Sequence, residues 1–351
     1  KTPFGSIIAE LDSLESINGL DFGLFLGYTG GKSIKLNTCE VSLDTVKKAL
    51  GDTLEAIYPT RTAQSEREVP AFACKTRPAA STFKSPKPQA VIPVFPGTNC
   101  EVDTARAFER AGAIADILVV KNLTPNDIEE TIEEMVRSIN EAQIVMLPGG
   151  FSGGDEPDGS GKFIATTFRN PKIKDAVSNL LEHRDGLMLG ICNGFQALIK
   201  LGLVPYGKIT EPSPQAPTLT FNTIGRHISR MVYTRVTSVK SPWLSGVNAG
   251  DVFTVPVSHG EGRFVASDAV MQQLIENGQV AFQYTTPCGK PSGDVKWNPN
   301  GSVCAVEGIT SPDGRVLGKM AHSERLGNHL YKNVPGEKDQ KLFESGVKYF
   351  K

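Results

Sequence analysis

The chain has 351 residues, of which 37 are Lys or Arg and 38 are Asp or Glu, so its formal net charge is −1. This length predicts more than one domain, and the balance of charge provides no basic surface that would favour nucleic acid or a membrane as a partner. No apolar run approaches the ~20 residues of a membrane span, and the first residues lack the apolar centre of a signal peptide. We therefore expect a cytoplasmic protein whose cysteines are unpaired.

Residues 1–60 have the pattern of a small α+β segment. Apolar runs at residues 7–11 and 24–28 predict two strands. Apolar residues recur at helical spacing over residues 43–57, and Ser42 is a suitable cap for the start of that helix. The chain begins without a methionine, and we expect it to be a piece of a longer polypeptide.

The pattern changes twice in the next part of the chain. Residues 61–89 are rich in Pro, Ser, Thr, Arg and Lys without an apolar period, which is typical of a linker. Short apolar runs then alternate with helical stretches, and this alternation predicts an α/β fold with a doubly wound, mostly parallel sheet. The predicted strands are residues 90–95, 115–120, 143–147 and 187–191. Ligands bind at the carboxyl ends of the strands in such sheets.

The remaining elements follow from the same patterns. After the first strand, a helix is predicted over residues 101–111, with Gly112 placed to end it. Beyond residue 202 the chain is richer in strands, among them residues 228–236 and 252–258. A helix near residues 340–350 ends the chain, and its apolar side chains are expected to pack inward.

A candidate nucleophile lies where the fourth strand is predicted to turn into a helix. The segment reads Gly190-Ile191-Cys192-Asn193-Gly194, and the two glycines let strand and helix pack closely around the cysteine. The N–H groups and dipole at the start of the helix favour the thiolate of Cys192. The sequence therefore predicts a cysteine nucleophile. The other cysteines lack this setting and are interpreted as inert thiols: Cys39, Cys74, Cys100, Cys288 and Cys304.

Two histidines are candidates for the base that a thiol nucleophile needs. His259 precedes Glu261 by two residues, and His322 precedes Glu324 by the same spacing. Residues i and i+2 share a face of an extended segment, so either glutamate could hold its imidazole in the required tautomer. The residues alone leave this choice open. The remaining histidines lie in polar or charged segments and are interpreted as surface residues: His183, His227 and His329.

A glycine pair follows the third predicted strand, in Pro148-Gly149-Gly150-Phe151. Successive glycines allow main-chain N–H groups to turn towards a neighbouring site, and an oxyanion needs donors of that kind. We expect Gly150 to donate to the oxyanion. Residues 152–161 are expected to form a mobile loop over the site.

Several segments together carry a resemblance to a known family. Residues 190–196, GICNGFQ, resemble the nucleophile motif of class I (triad-type) glutamine amidotransferases. Four further segments narrow the match to the glutaminase domains of phosphoribosylformylglycinamidine synthases. They are FPGTNCE at 95–101, PGGFS at 148–152, SHGEGR at 258–263 and HSER at 322–325. The resemblance covers about residues 89–351 and implies a flavodoxin-like sheet.

The resemblance also implies roles for the site residues. The family carries its base and orienter in a His-Pro-Glu motif, which matches His322 and Glu324 here, with Ser323 in place of the proline. His259 and Glu261 then become supporting residues. The residues implied at the oxyanion or at bound glutamine are Gly150, Phe151, Asn193 and Gln196.

The implied activity is hydrolysis of the glutamine side-chain amide through a thioester on Cys192. The ammonia would convert formylglycinamide ribonucleotide to its amidine in purine biosynthesis. Residues 1–60 would be the end of an ATP-binding synthetase half of the same polypeptide, and residues 90–351 the glutaminase domain. No metal or cofactor is expected in this chain, because ATP and Mg²⁺ belong to the synthetase half. Two alternatives are a cysteine peptidase or deglycase on a related sheet and a non-catalytic docking domain.

Overall fold

A computed structural model describes residues 5–17, 24–60, 62, 69–151 and 161–351. Contacts divide the chain into two units, residues 1–60 and residues 61–351. Among the helices of the described ranges, none combines the length and hydropathy needed to cross a bilayer.

The described residues of the first unit form a short hairpin and one α-helix. Strand β1 is Ser33–Leu36, strand β2 is Cys39–Ser42, and helix α1 is Leu43–Asp52, with a 3₁₀ turn at Leu14–Ile17. The predicted cap is confirmed, because the Ser42 hydroxyl accepts a hydrogen bond from Thr45 N at 3.0 Å.

Two predictions for this unit are wrong. Residues 7–11 and 24–28 are not strands, and the helix ends at Asp52 although the apolar spacing continues to Ile57. The two apolar runs are largely exposed, since Ile7 is 92% and Leu24 82% accessible. A strand is stabilised by pairing with a neighbouring strand and by burial of one face, and in the described structure these two runs have neither.

The second unit contains the remaining strands and helices. Its strands are β3 (Gln89–Val94), β4 (Ile114–Val119), β5 (Ile144–Leu147), β6 (Leu187–Ile191), β7 (Thr218–Phe221), β8 (Ile228–Val236), β9 (Val252–His259), β10 (Glu261–Val265), β11 (Val280–Thr285), β12 (Val306–Thr310) and β13 (Val316–Lys319). Its helices are α2 (Glu101–Ala111), α3 (Pro125–Glu141), α4 (Lys162–Phe168), α5 (Pro171–Glu182), α6 (Asn193–Leu201), α7 (Leu203–Tyr206), α8 (Asp268–Glu276) and α9 (Leu342–Tyr349). Short 3₁₀ turns occur at Pro242–Leu244 and Val303–Ala305.

Nine of these strands form one mixed sheet in the order β4-β3-β5-β6-β13-β12-β11-β8-β9. The first five run parallel to one another. The other four extend the sheet with antiparallel pairings. The predicted doubly wound parallel sheet is therefore confirmed, and the strand-rich C-terminal part of the chain enlarges it. Strands β7 and β10 pair separately.

Helices cover the parallel strands on both faces. The chain passes from β3 to its neighbour β4 and then from β4 back across β3 to β5 on the other side. This reversal of direction places the successive crossover helices on opposite faces of the sheet. Helix α2 packs against α9, whereas α3 packs against α5. Every residue of β5 and of β6 is buried, as expected for central strands of such a sheet.

The predicted helix ends in this unit are confirmed. Helix α2 ends at Gly112, whose φ of 86° lets its N–H turn back to the carbonyls of Glu109 and Phe108. Helix α9 buries Leu342 and Val347 in the core.

Residues 69–88 run along the surface of this unit. Cys74 N donates to Thr237 O at 2.8 Å, and Ser85 N donates to Phe350 O at 2.9 Å. The division into a synthetase remnant, a linker at 61–89 and a glutaminase domain stays a prediction. Residues 152–160 of the predicted mobile loop lie outside the described residues.

Candidate active site

The turn from β6 to α6 holds Cys192 in strained geometry, with φ 53° and ψ −105°. The close packing predicted for its flanking glycines is observed. A Cβ on Gly194 would lie 1.9 Å from Leu147 O, and a Cβ on Gly190 would lie 2.7 Å from the main chain of Gly194. Glycine at both positions lets the helix start directly against the ends of β5 and β6.

The thiol of Cys192 is 4% exposed and lies 3.8 Å from Ser258 O. Burial, reinforced by Cys100 and Glu324, raises the pKa of this thiol to about 12, although the Asn193 N–H acts in the opposite direction. The Asn193 N–H at the helix start favours the thiolate, as predicted, but desolvation of the buried sulfur outweighs this single donor. The thiol is protonated at neutral pH and needs a base to become a nucleophile.

His322 and Glu324 form a buried hydrogen-bonded pair beyond the end of β13. His322 Nδ1 lies 2.5 Å from Glu324 Oε1, and the two side chains are 2% and 0% exposed. Burial raises the pKa of Glu324, but the positive field of His322 and its hydrogen bond outweigh that effect and hold the pKa below its usual value. An ionised Glu324 accepts a hydrogen bond from the Nδ1–H group of His322, which leaves Nε2 as the basic nitrogen. Within the described residues, Nε2 has no hydrogen-bond partner.

The sheet brings this pair next to the elbow. Strands β6 and β13 are parallel neighbours, and Ile191 is in register with Lys319. Cys192 N donates to Lys319 O at 2.8 Å, so the elbow is tied to the strand end that leads to His322.

The second predicted pair is arranged differently. His259 is 2% exposed at the end of β9, and its Nδ1 lies 3.1 Å from Asn222 Oδ1. Burial and the nearby His322 lower the pKa of His259 to about 3, so this ring is neutral at physiological pH. The imidazole partner of His259 is therefore an amide rather than the carboxylate of Glu261. Asn222, 37 residues away along the chain, carried no signal in the sequence.

The glycine pair lies at the end of β5, beside the elbow. Gly149 O accepts hydrogen bonds from Asn99 N and Cys100 N, each at 3.2 Å. Gly150 forms an isolated antiparallel β-bridge with Thr98. A Cβ on Gly150 would lie 2.6 Å from Gly97 O, so only glycine fits this contact between two strand-end loops.

Phe151 follows the glycine pair and is 36% exposed. Its ring lies 6.2 Å from the ring of His227, whose Nε2 is 3.0 Å from Ser258 Oγ. His227 was interpreted from sequence as a surface residue. Its ring contacts both Phe151 and Ser258, and the carbonyl oxygen of Ser258 contacts Cys192.

Asn193 and Gln196 are both buried in the first turns of α6. Asn193 Nδ2 donates to Gln196 Oε1 at 2.9 Å, and Gln196 Nε2 donates to Glu261 O at 2.6 Å. The Gln196 side chain thus ties the elbow helix to β10. A role for these two residues at bound glutamine stays a prediction.

Cys100 and Arg325 also belong to the site, although neither was predicted from the sequence to do so. Cys100 is 1% exposed, and its sulfur lies 3.8 Å from His322 Nδ1 and accepts a hydrogen bond from Arg325 Nη2 at 3.2 Å. Burial and the charge of Glu324 raise the pKa of Cys100 to about 11. The position of Cys100 after the first strand, within FPGTNCE, was the available signal, because that strand end adjoins the glycine pair.

Within the described ranges, one group of side chains brings potential metal-ligand atoms within 4.8 Å of one another, namely Cys100, His322 and Glu324. A cation there would displace the hydrogen bond between His322 and Glu324. It would also lie beside the guanidinium of Arg325, which contacts Cys100. These two obstacles favour a site without a metal, and the expected absence of a metal stays a prediction.

Thiol-dependent amide hydrolysis needs a nucleophilic cysteine, a base for its proton and a third group that orients the base. Cys192 and the pair of His322 and Glu324 meet these needs on a doubly wound sheet, which defines the class as a triad-type thiol enzyme fold. The chain belongs to the family described as CobB/CobQ-like glutamine amidotransferase domains, whose model matches residues 87–350.

Individual relatives agree with this assignment. The phosphoribosylformylglycinamidine synthase subunit PurQ of Methanococcus maripaludis (strain S2) is 34% identical over 239 residues, which are 68% of this chain and 82% of the relative. The PurQ subunit of Rhodospirillum rubrum is 36% identical over 258 residues, covering 74% of this chain and 97% of the relative. The solved structure of PurLQS from Thermotoga maritima matches with a TM-score of 0.53 at 28% identity, covering 76% of this chain and 100% of that one. The resemblance to glutaminase domains of these synthases is thereby confirmed.

Proposed function

We propose that this chain hydrolyses the side-chain amide of glutamine and supplies the ammonia for making phosphoribosylformylglycinamidine. The observation that carries the proposal is the 2.5 Å contact between His322 and Glu324 next to the Cys192 elbow. It leaves one imidazole nitrogen available as a base for a thiol that burial keeps protonated.

Thioester formation begins when glutamine enters the site. His322 Nε2 takes the proton of Cys192 while the sulfur attacks the side-chain carbonyl carbon, and the C=O π electrons move to oxygen. Glu324 stabilises the imidazolium without taking its proton. The C–N bond then breaks, and the imidazolium gives its proton to the departing nitrogen, so that ammonia leaves and a thioester remains.

Hydrolysis of the thioester uses the same groups. His322 Nε2 removes a proton from water as the oxygen attacks the thioester carbon. The C–S bond breaks when this second tetrahedral intermediate collapses, and the proton returns to the Cys192 sulfur. Glutamate leaves, and the thiol and neutral imidazole are restored.

Main-chain donors stabilise the negative oxygen in both steps. Gly150 and Asn193 are our candidates, because they lie at the ends of the neighbouring strands β5 and β6 beside the attacking sulfur. Donors fixed by a strand end and a helix start need no rearrangement when charge develops, and removing one such donor typically lowers kcat by ~10²–10³-fold.

The ammonia passes to a synthetase partner that converts formylglycinamide ribonucleotide to the amidine with formation of a C–N bond. The relatives named above are subunits of such a synthase, which supports this assignment. We infer that the partner half, in the same polypeptide, uses ATP and Mg²⁺, and that residues 90–351 need no cofactor of their own.

The test is to offer the chain, together with its synthetase part, three kinds of substrate: glutamine, unblocked peptides and glyoxal adducts of amines. We expect that glutamine is the one substrate of the three that reacts, and that it yields glutamate and ammonia in equal amounts. The Cys192→Ala variant should release neither product. Turnover of peptides or adducts with no release of glutamate would support the peptidase or deglycase alternative. Indifference to all three would support a docking domain.

A further inference from the structure

We propose that the buried ion pair of Lys319 and Glu307 is a positioning device that sets His322 opposite Cys192. This inference rests on the proposed glutaminase function. Neither residue carries a signal in the family motifs, and neither touches the catalytic side chains directly.

The pair holds both main-chain polar groups of one residue. Lys319 Nζ lies 3.2 Å from Glu307 Oε1. Lys319 Nζ donates to Ala321 O at 2.6 Å, while Ala321 N donates to Glu307 Oε1 at 2.7 Å. Ala321 immediately precedes His322, so the ion pair holds one polar group of each of the two peptides that flank Ala321. The second of these peptides leads into His322, and its N–H donates to Pro256 O at 2.9 Å. The ion pair and this hydrogen bond therefore orient the peptide before His322 together.

The same lysine is also connected to the nucleophile. Its main-chain oxygen accepts the hydrogen bond from Cys192 N at 2.8 Å. Lys319 therefore contacts the nucleophile residue through its backbone and the residue before the base through its side chain. A displacement of Lys319 or of its partner would change the separation of the two reacting groups.

The location of the pair argues against a role in stability alone. Both side chains are 0% exposed, and Lys319 Nζ lies 5.3 Å from the centre of the Phe282 ring. Within the described residues, Glu307 Oε2 has no hydrogen-bond partner. Replacement of a whole buried ion pair by well-packed apolar side chains is often neutral or stabilising, whereas removal of one partner alone is destabilising. An apolar pair would, however, leave both polar groups of Ala321 without partners.

The expected consequence for catalysis follows from geometry. A misplacement of a catalytic group by ~1 Å can lower a rate by ~10²-fold, because proton transfer and attack require near-contact alignment. Loss of the pair should therefore reduce kcat, whereas the affinity for glutamine should change little.

The experiment compares three variants of the full chain assayed with its synthetase part. Lys319→Met removes the charge and the donor at similar length. Glu307→Gln keeps an oxygen that can accept from Ala321 N. Gln279→Met is the matched control, because the buried Gln279 side chain donates to Pro205 O in α7 and to Thr310 O in β12 and has neither Ala321 nor His322 as a hydrogen-bond partner. The folded fraction of each variant is measured by circular dichroism at the assay temperature.

We expect Lys319→Met to lower kcat per folded molecule by ~30-fold or more, with KM changed less than about threefold. Glu307→Gln should retain more activity than Lys319→Met. The control should keep its kcat even if its melting temperature falls. Full kcat in folded Lys319→Met, or an equal loss in the control, would overturn the proposal.

A second readout does not depend on activity. The proton between His322 and Glu324 lies in a short charge-assisted hydrogen bond and should give a far-downfield resonance in the proton spectrum. We expect Lys319→Met to shift or remove this resonance and Gln279→Met to leave it in place. An unchanged resonance in Lys319→Met would contradict the positioning role. If the wild-type chain released no glutamate, the proposed function would fail, and this resonance would still decide the role of the pair.

Discussion

His322 Nδ1 and Glu324 Oε1 lie 2.5 Å apart, whereas His259, with a glutamate at the same sequence spacing, bonds to Asn222 instead. This difference favours His322 over His259 as the base. His322 is oriented by an ionised carboxylate that can stabilise its protonated form. His259 is held by a neutral amide, and burial together with the nearby His322 lowers its pKa to about 3, which disfavours the protonated ring that a base must form.

The first prediction follows from this comparison. His322→Ala and Glu324→Ala should each lower kcat for glutamine hydrolysis by ~10²–10⁴-fold, because one removes the base and the other its orienting charge. His259→Ala and Glu261→Ala should lower kcat much less. Steady-state release of glutamate measures all four variants. A larger loss in His259→Ala than in His322→Ala would reverse the assignment.

The second prediction concerns the elbow. Gly194→Ala places a Cβ 1.9 Å from Leu147 O, a main-chain atom that cannot rotate away. We expect the free energy of unfolding to fall by ~3 kcal/mol or more, because relief of the clash requires β5 and α6 to separate. Gly327→Ala is the control, since its Cβ would make an ordinary contact at 3.4 Å. Denaturant unfolding of the two variants should show the difference, and equal stability would contradict the packing argument.

The third prediction concerns pH. Burial raises the pKa of Cys192 from its ordinary 9.0 to about 12 and that of Cys100 to about 11. The folded protein thus keeps two protons that the unfolded chain loses above about pH 9. Their contribution to stability is full below pH 9 and is lost as the pH rises towards 11 to 12. Between pH 7 and pH 10 this amounts to ~1.4 kcal/mol for each thiol.

The measurement is the free energy of unfolding at these two pH values for the wild type and for a variant with Cys100→Ala and Cys192→Ala. The wild type should lose ~3 kcal/mol more than the double variant over this range, since all other titrating groups are shared. Parallel pH dependence in the two proteins would show that the thiols are not desolvated as the structure indicates.

The fourth prediction concerns dependence on the partner. We expect the chain alone to be a poor glutaminase, because release of ammonia without an acceptor would waste glutamine. If the activation free energy of hydrolysis were ~3 kcal/mol higher in the chain alone than in the complete enzyme, the chain alone would hydrolyse glutamine roughly a hundredfold more slowly. Glutamine hydrolysis is measured with and without the synthetase part, its nucleotide substrate and ATP. Equal rates would show that the site is already complete in the chain alone.

Four of the five parallel strands could be predicted from sequence, because short apolar runs alternate with helical stretches over residues 90–191, whereas β13 was not predicted. Strand β6 and helix α2 begin and end where the pattern placed them. The first unit could not be predicted in the same way. Its apolar runs at residues 7–11 and 24–28 are exposed without strand partners, and a local pattern contains no information about whether a partner exists.

The site was predictable where its residues form a local motif and unpredictable where they meet from distant segments. Cys192 with its glycines could be identified from five consecutive residues. The choice between the two histidines could not, because it depends on Asn222 reaching His259 across 37 residues. The ion pair of Lys319 and Glu307 could not be predicted either, since a single lysine or glutamate in an apolar strand does not reveal its partner on the next strand.

Covalent labelling by a diazoketone analogue of glutamine tests the central claim most directly. Such an analogue alkylates the thiol that attacks the side-chain carbonyl of glutamine, and peptide mass analysis identifies the labelled cysteine. The structure contains its own control, because Cys100 is an equally buried thiol in the same site. We predict one label per chain on Cys192, protection by glutamine, and no label in Cys192→Ala. Labelling of Cys100 in the wild-type protein, or labelling of Cys192 that glutamine does not prevent, would contradict the account.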